Sequence, residues 1–335
     1  MKAMRITLPA SPATLACVEM PAPASPLAGE IMVRIRASSL NFHDYAVVSG
    51  MRATADGRIP MSDGAGEVLA VGAGVGEFAV GDLVVSTFFP DWLDGDFSSQ
   101  GFRSVPGDGV DGFAREVVTM PATAFTPAPK GWSAAEAATI TCAGVTAWRA
   151  LVVNGGLKAG DSVLIQGSGG VSLYALQLAK LMGARVIATS SSDAKLERLR
   201  ALGAEQLINY RSEPQWGKKV LDLTNGRGVD HVVEIGGAGT LPLSITAARI
   251  GGHIALIGVL AGISGAIPTA ALMSKQIRLI GLTVGSRRHQ RDLIRAVEVS
   301  GMRPVMDVSF PLAELGSAFE YEVTGRHFGK IAIAI

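Results

Sequence analysis

Gly167, Gly169 and Gly170, in the run IQGSGGVS, are the residues whose types and spacing point most directly to chemistry. Gly167 permits a tight turn. Gly169 and Gly170 let the backbone approach a pyrophosphate with no Cβ in the way, and the N–H groups of a following helix would point at that anion. Such a turn is an anion site, and between a strand and a helix it is a candidate nucleotide cradle; the competing reading is an ordinary αβ crossover. Ser172 stands where the third glycine or alanine of GxGxxG usually packs helix on strand. The acidic residue that grips an adenosine ribose belongs at the end of the second strand, about twenty residues past the turn, and Ser190 stands there. Asp193, after Ser191 and Ser192, reads as the first residue of a helix. A second candidate is His43 in LNFHDY, with Tyr45 in reserve. An imidazole can hydrogen-bond a developing oxyanion and hand over a proton; the competing reading is a turn histidine bonded locally beside Asp44.

These residues need a scaffold. Residues 163–165 form a β-branched apolar run that breaks at Gly167, and Val171, Tyr174, Ala175, Leu178 and Met182 then share one helical face. A strand at 185–189 closes a parallel crossover of about thirty residues. The alternation continues with helix 192–204, strand 206–208, helix 215–223, strand 230–235, helix 240–249 and strand 253–257. Ser133 and Glu136 make a capping box where this pattern begins. Upstream, short β-rich runs at 31–35, 66–71, 83–87 and 115–118 alternate with Gly, Pro and Asp, as in a mostly antiparallel domain. An irregular stretch, 88–112, is rich in aromatics and turn residues, and loops this long are usually functional or mobile. After helix 287–300 come a strand at 307–310, a helix at 312–321 and a strand at 330–335, expected to return to the first domain. The fold expected is α/β: residues 1–130 with 285–335 as a β-rich domain, and 131–284 as a doubly wound parallel sheet.

The composition agrees. A chain of 335 residues with 48% hydrophobic content is globular and suggests about two domains. A net charge of +1 with 18% charged residues gives no footprint of a nucleic-acid or acidic-membrane binder. No apolar run approaches a membrane span, and the prolines of the N-terminal stretch break any signal-peptide core. Two cysteines, Cys17 and Cys142, fit a reducing compartment, so a cytoplasmic location is expected.

The segments SSLNFHDYAVVSG, SDGAGEVLAVGAGV, VGDLVV, DGFAREVV, EAATITCAGVTAWRAL, GDSVLIQGSGGVS, INYRSE and HFGKIAI follow in an order that resembles the medium-chain dehydrogenase/reductases. The resemblance is to their zinc-independent, quinone oxidoreductase-like branch. It implies a GroES-like catalytic domain and a Rossmann domain. In zinc-bearing relatives the metal is held by a cysteine, a histidine of a His-Glu pair and a second cysteine, and the matching positions carry Asn41, Ser62 (before Asp63) and Cys142. Asn and Ser are poor zinc donors, so no metal is expected. By the same resemblance Asn41 lies beside the nicotinamide, and Lys195 and Tyr210 match positions that contact the 2′-phosphate of NADPH. The residues expected on the cofactor are Asn41, Thr146, Gly167, Ser168, Gly169, Gly170, Val171, Ser190, Ser191, Lys195, Tyr210, Gly236, Ile257, Gly258 and Val259.

Without a metal, the charge left on the acceptor by hydride addition must be spread through the acceptor itself. A quinone or an α,β-unsaturated carbonyl does this, and hydrogen-bond donors in a dry site then suffice. The activity expected is therefore NADPH-dependent reduction of a conjugated carbonyl, with His43, Asn41 and Tyr45 as catalytic residues and Phe42, Phe89, Trp92 and Trp148 lining the acceptor site. Oxidation of small alcohols, or low-turnover NADPH binding in a structural or sensing role, are the alternatives. The run 276–284, QIRLIGLTV, is an apolar edge-strand candidate whose pairing across a two-fold axis would give a homodimer.

Overall fold

The computed structural model describes residues 1–335 apart from the side chains of Ser99 and Gln100. Two compact units emerge: Met1–Val145 together with Val284–Ile335, and Thr146–Thr283. The change of pattern at Ser133 suggested a boundary at 131. The helix Ala134–Ala138 instead packs on strands of the first unit, so the second begins at Thr146.

In chain order the strands are β1 (Lys2–Ile6), β2 (Leu15–Glu19), β3 (Glu30–Ser39), β4 (Ala65–Val71), β5 (Leu83–Ser86), β6 (Val117–Pro121), β7 (Phe125–Pro127), β8 (Ser162–Gln166), β9 (Arg185–Ser190), β10 (Gln206–Asn209), β11 (Val229–Glu234), β12 (Ala248–Leu256), β13 (Arg278–Gly281), β14 (Met306–Pro311) and β15 (Lys330–Ala334).

In the first unit a seven-stranded sheet runs β14-β15-β3-β4-β5-β7, with β6 also paired to β3. Its pairs are antiparallel except β14 with β15. Alternate residues of β3, Ile31, Val33 and Ile35, point into a core with Val68, Val84, Phe113 and Phe125, the period-two burial of a sheet packed on one face. A second cluster joins Met4, Ile6, Leu40, Val47, Met61, Phe319 and Ile333. The sequence shows no long helical period before residue 130, and the structure adds there a two-turn α-helix, Phe42–Val48, besides short 3-10 turns.

The second unit is a six-stranded sheet ordered β10-β9-β8-β11-β12-β13, every neighbouring pair parallel. All five residues of β8 and all six of β11 are buried, as expected of central strands covered on both faces. All its strands therefore end on one edge. Two elements differ from the expected pattern. The expected helix 240–249 stops at Ala247 and β12 starts at Ala248, earlier than 253. The edge strand β13 keeps only Arg278–Gly281 because Gln276 and Val284 adopt positive φ, outside extended geometry. Among the described residues no helix is long and apolar enough to cross a membrane.

Candidate functional site

In the second unit, β8 delivers the glycine turn. Gly167 has φ +71°, a left-handed conformation that disfavours a side chain. A Cβ placed on Gly169 would meet nothing within 4 Å, so this backbone faces open space. Gly169 is also the N-cap of the helix Gly170–Leu181, whose first amides have no intrahelical acceptor. The combination is an anion cradle. Ser172 does not spoil the fit of helix on strand: it is buried and its Oγ donates to the Gln166 carbonyl at 2.6 Å.

The remaining expected cofactor residues of this unit, Thr146 apart, follow the ends of neighbouring strands. β9 ends at Ser190, whose Oγ accepts the Ser192 N–H at 3.3 Å. Ser192 caps the helix Asp193–Ala201, accepting the Lys195 N–H at 3.4 Å, and Asp193 is the first helical residue. Its carboxylate takes the Asn209 amide at 2.7 Å. No acidic side chain therefore stands at the end of β9. Lys195 is half-buried, and Tyr210, 42% exposed, follows the end of β10 with its N–H on the Ser190 carbonyl. Arg211 is also exposed at this strand end, its N–H on Asn209 Oδ1 at 3.0 Å.

Gly236 follows β11, and Ile257, Gly258 and Val259 follow β12. The Gly236 N–H is committed to Glu234 Oε1 at 2.7 Å. Gly258 is required for a different reason: a Cβ there would stand 2.3 Å from the Ile235 carbonyl oxygen. Thr146 and Trp148 precede the sheet, Thr146 buried and Trp148 half-buried.

In the first unit, Asn41 precedes the helix Phe42–Val48. Its Nδ2 donates to Asp44 Oδ2 at 3.1 Å and to the Ser39 carbonyl at 3.3 Å, while its Oδ1 accepts from Lys330 Nζ at 2.7 Å. Both ends of the carboxamide are engaged within the unit. Lys330, 3% exposed, also donates to the Leu40 carbonyl and lies 3.5 Å from Asp63 Oδ2. Burial pushes the Asp63 carboxyl up to about 6; Lys330 pulls against that shift and Asp44 adds to it. Burial likewise raises Asp44, against the hydrogen bonds from Ser62 and Asn41. Asp63, Lys330 and their contacts were not foreseen as a group.

His43 does not pair with Asp44. Its Nε2 is 3.5 Å from Asp108 Oδ2 without a hydrogen bond, and its ring meets Phe88 edge-on at 5.1 Å. Asp108 is held by Arg52 through two contacts at 2.8 and 3.1 Å. Burial pushes the imidazole down to about 4, Asp108 opposing the shift and Arg52 reinforcing it. The expectation that His43 is an imidazole handing over a proton near neutrality is thus corrected: burial keeps this ring neutral at pH 7. Tyr45 packs against Phe42 and Phe319.

Among the expected acceptor-site aromatics of this unit, Phe42 is 40% exposed, whereas Phe89 and Trp92 are buried in a cluster with Phe97. Trp92 Nε1 donates to the Gly95 carbonyl. Phe89 and Trp92 thus hold stretch 88–112 together rather than presenting their faces.

The donor set around Asn41 does not suit zinc. The Asn41 amide is saturated, Ser62 offers only a hydroxyl, and an ammonium already stands beside Asp63. Among the described residues no three His, Cys, Asp or Glu side chains gather as ligands.

Two family models match the chain: an alcohol dehydrogenase GroES-like domain over residues 27–130 and a zinc-binding dehydrogenase over residues 170–299. A zinc-type alcohol dehydrogenase-like protein of Schizosaccharomyces pombe is 39% identical over 92% of this chain and 91% of its own. A chloroplast envelope quinone oxidoreductase homolog of Arabidopsis thaliana is 30% identical over 94% and 92%. Of the solved structures, a Sinorhizobium meliloti 1021 protein assigned by name to the alcohol dehydrogenases superposes with TM-score 0.92 at 41% identity, covering 100% of this chain and 99% of that one. Mycobacterial Rv1454c complexed with NADPH superposes with TM-score 0.84 at 26% identity, covering all of both chains.

Proposed function

The chain belongs to the medium-chain dehydrogenase/reductase family and is an NAD(P)-dependent oxidoreductase; from that premise we propose that it transfers hydride from NADPH to a quinone or an α,β-unsaturated carbonyl without a metal. The observation that carries the cofactor reading is the open glycine turn at the head of the helix Gly170–Leu181, with Ser190 where a ribose-gripping carboxylate would stand.

The reduced nicotinamide supplies the hydride. The turn 167–170 holds the pyrophosphate by backbone N–H groups and the helix dipole. Ser190 puts no like charge against a 2′-phosphate, and Lys195 and Tyr210 supply donors for it. The NADPH complex of mycobacterial Rv1454c supports this choice. In the first unit the neutral imidazole of His43 serves as a hydrogen-bond donor to the acceptor oxygen; its Nε2 makes no hydrogen bond, with Asp108 Oδ2 3.5 Å away. Asn41 orients the start of the helix that carries His43.

The reading without metal rests on the Asn41, Ser62 and Lys330 chemistry above, since a conjugated acceptor needs only fixed donors to carry its charge. The quinone oxidoreductase homolog supports that acceptor class. The alcohol dehydrogenase names of other relatives favour a second reading, oxidation of small alcohols. One assay separates them: NADPH oxidation against a panel of quinones, enones and simple aldehydes, with elemental analysis of the same preparation. Turnover of quinones or enones by metal-free protein supports the proposal. Stoichiometric zinc with activity on simple aldehydes and alcohols alone overturns it.

A further inference from the structure

Glu234, the last residue of β11, is fully buried and receives five donors. Its Oε1 accepts the N–H groups of Gly236 at 2.7 Å and Gly237 at 3.0 Å and the hydroxyl of Thr240 at 2.6 Å. Its Oε2 accepts Gln166 Nε2 at 2.8 Å and the hydroxyl of Ser244. None of the five donors is a cation. An all-donor surround suits a carboxylate, which carries no proton to place; its Oε1 shares two lone pairs among three donors and its Oε2 meets one donor with each.

The donors come from the end of β8, the turn after β11 and the helix that follows it, through Thr240 and Ser244. Gln166 is the residue before Gly167. Its Nε2 is shared between Glu234 and Ser244, and its Oε1 accepts the Ile235 N–H at 3.4 Å. Gly236 and Gly237 form the turn after β11. The Glu234 carbonyl accepts the Ile257 N–H at 2.8 Å, and the Ala238 N–H donates to the Gly262 carbonyl at 3.0 Å, so the turn after β12 is tied to the same point. The packing there admits no slack: a Cβ on Gly237 would stand 2.5 Å from the Gly262 carbonyl oxygen.

We infer that the side chain of Glu234, paired with Gln166, is the positioning element that fixes the turns after β8 and β11 of the dinucleotide site relative to one another, and so governs nucleotide affinity without touching the nucleotide. The inference rests on the cofactor reading above. It follows from the matching of donors and acceptors. Replacing Glu234 by Gln keeps the shape but sets two NH₂ groups, those of residues 166 and 234, against each other. Turning Gln166 over relieves that clash only by facing its NH₂ toward the Ile235 N–H. Either arrangement leaves a buried donor without an acceptor. Exchanging the two residues restores the match. A glutamate at 166 accepts from Ser244, the Ile235 N–H and the new amide at 234, whose oxygen still accepts from Gly236, Gly237 and Thr240.

The test is titration of the intact protein with NADPH and with NADH, followed by nicotinamide fluorescence, for wild type, Glu234→Gln, the double variant Gln166→Glu/Glu234→Gln, and Ser244→Ala. Titrations are run well below each variant's unfolding temperature, so that loss of fold does not enter. Glu234→Gln is expected to weaken the preferred nucleotide about tenfold or more, and the exchanged pair to return toward wild type. Ser244→Ala, which removes one donor and leaves the charge, is expected to give a smaller loss; it carries the test if Glu234→Gln does not fold. Wild-type affinity in Glu234→Gln overturns the inference, as does an exchanged pair no better than the single variant, or unchanged affinity in Ser244→Ala where that variant carries the test. If wild type itself binds neither nucleotide, the cofactor reading falls instead.

Discussion

The carboxamide oxygen of Asn41 accepts a 2.7 Å hydrogen bond from Lys330 Nζ, across 289 residues of sequence. The ammonium is buried with Asp63 at 3.5 Å and with the Leu40 carbonyl, so one lysine closes the polar network beneath the helix Phe42–Val48. Lys330→Met would leave Asp63 and Asn41 buried without it. Removing one partner of a buried charge network costs about 3–5 kcal/mol. Urea unfolding should therefore show a clear fall in midpoint for Lys330→Met and a much smaller one for Lys330→Arg; equal midpoints for Lys330→Met and wild type would refute the assignment.

For His43, burial holds the imidazole neutral down to about 4. His43→Ala is expected to lower turnover with a conjugated acceptor by about 10²–10³-fold, the usual cost of removing one donor to a developing oxyanion, with NADPH affinity little changed. Near-wild-type turnover would assign the donor role to water or another side chain. Arg52→Ala removes a cation that disfavours the imidazolium and releases Asp108 to face it. The His43 ionisation should move upward, which an NMR titration of the ring protons reports directly.

His253 gives a pH dependence to stability. It is 1% exposed, both ring nitrogens lack hydrogen-bond partners, and burial first, then His231 and Arg278, push it down to about 4. The folded state therefore keeps it neutral while the unfolded chain protonates near 6.5. Above that value it contributes no pH dependence. As pH falls from 6.5 towards 4 the unfolded state binds a proton the folded state refuses, and stability drops by up to about 3 kcal/mol. Chemical unfolding at pH 7.5 and pH 4.5 should show this loss in wild type and a smaller one in His253→Phe.

Cofactor choice is tested at Lys195. One or two charge-assisted hydrogen bonds to a 2′-phosphate correspond to about 10- to 100-fold preference for NADPH over NADH. Lys195→Ala should reduce that ratio by lowering NADPH affinity alone. Equal affinities in wild type, unchanged by the substitution, would remove the basis for the NADPH assignment.

Assembly is the remaining expectation. The strand β13 is at the edge of the parallel sheet, with Ile263 and Met273 exposed in the segment before it. An open apolar edge invites pairing, so light scattering at micromolar concentration should report a dimer, and a monomer would refute it.

Much of the second unit was legible because its signals are local. The apolar run before Gly167 and the helical period after it mark β8 and the helix Gly170–Leu181. In the first unit, the helix Arg287–Ser300, bracketed by Ser286 and the left-handed Gly301, was legible in the same way. The polar networks were hidden because they join distant residues: Gln166 to Glu234 across 68 positions and Asn41 to Lys330 across 289. The role of His43 was visible as chemistry but not its ionisation, which depends on burial and on Asp108 and Arg52. The packing of Phe89 and Trp92 was not legible because an aromatic in a long loop reads alike as lining or as packing; their contacts with each other and with Phe97 appear only in the fold.

The strand β15 lies between β14 and β3 and pairs with β3 through Ala332 and Ser39. During synthesis the ribosome must therefore translate all of Thr146–Thr283 before the sheet begun by β3 can be closed. The second unit has every strand of its sheet in one uninterrupted stretch. It is free to fold while the first still waits for its last strands, and during that interval the Ala37–Ser39 end of β3, beyond its pairing with β6, presents an unpaired edge on which chaperones would act.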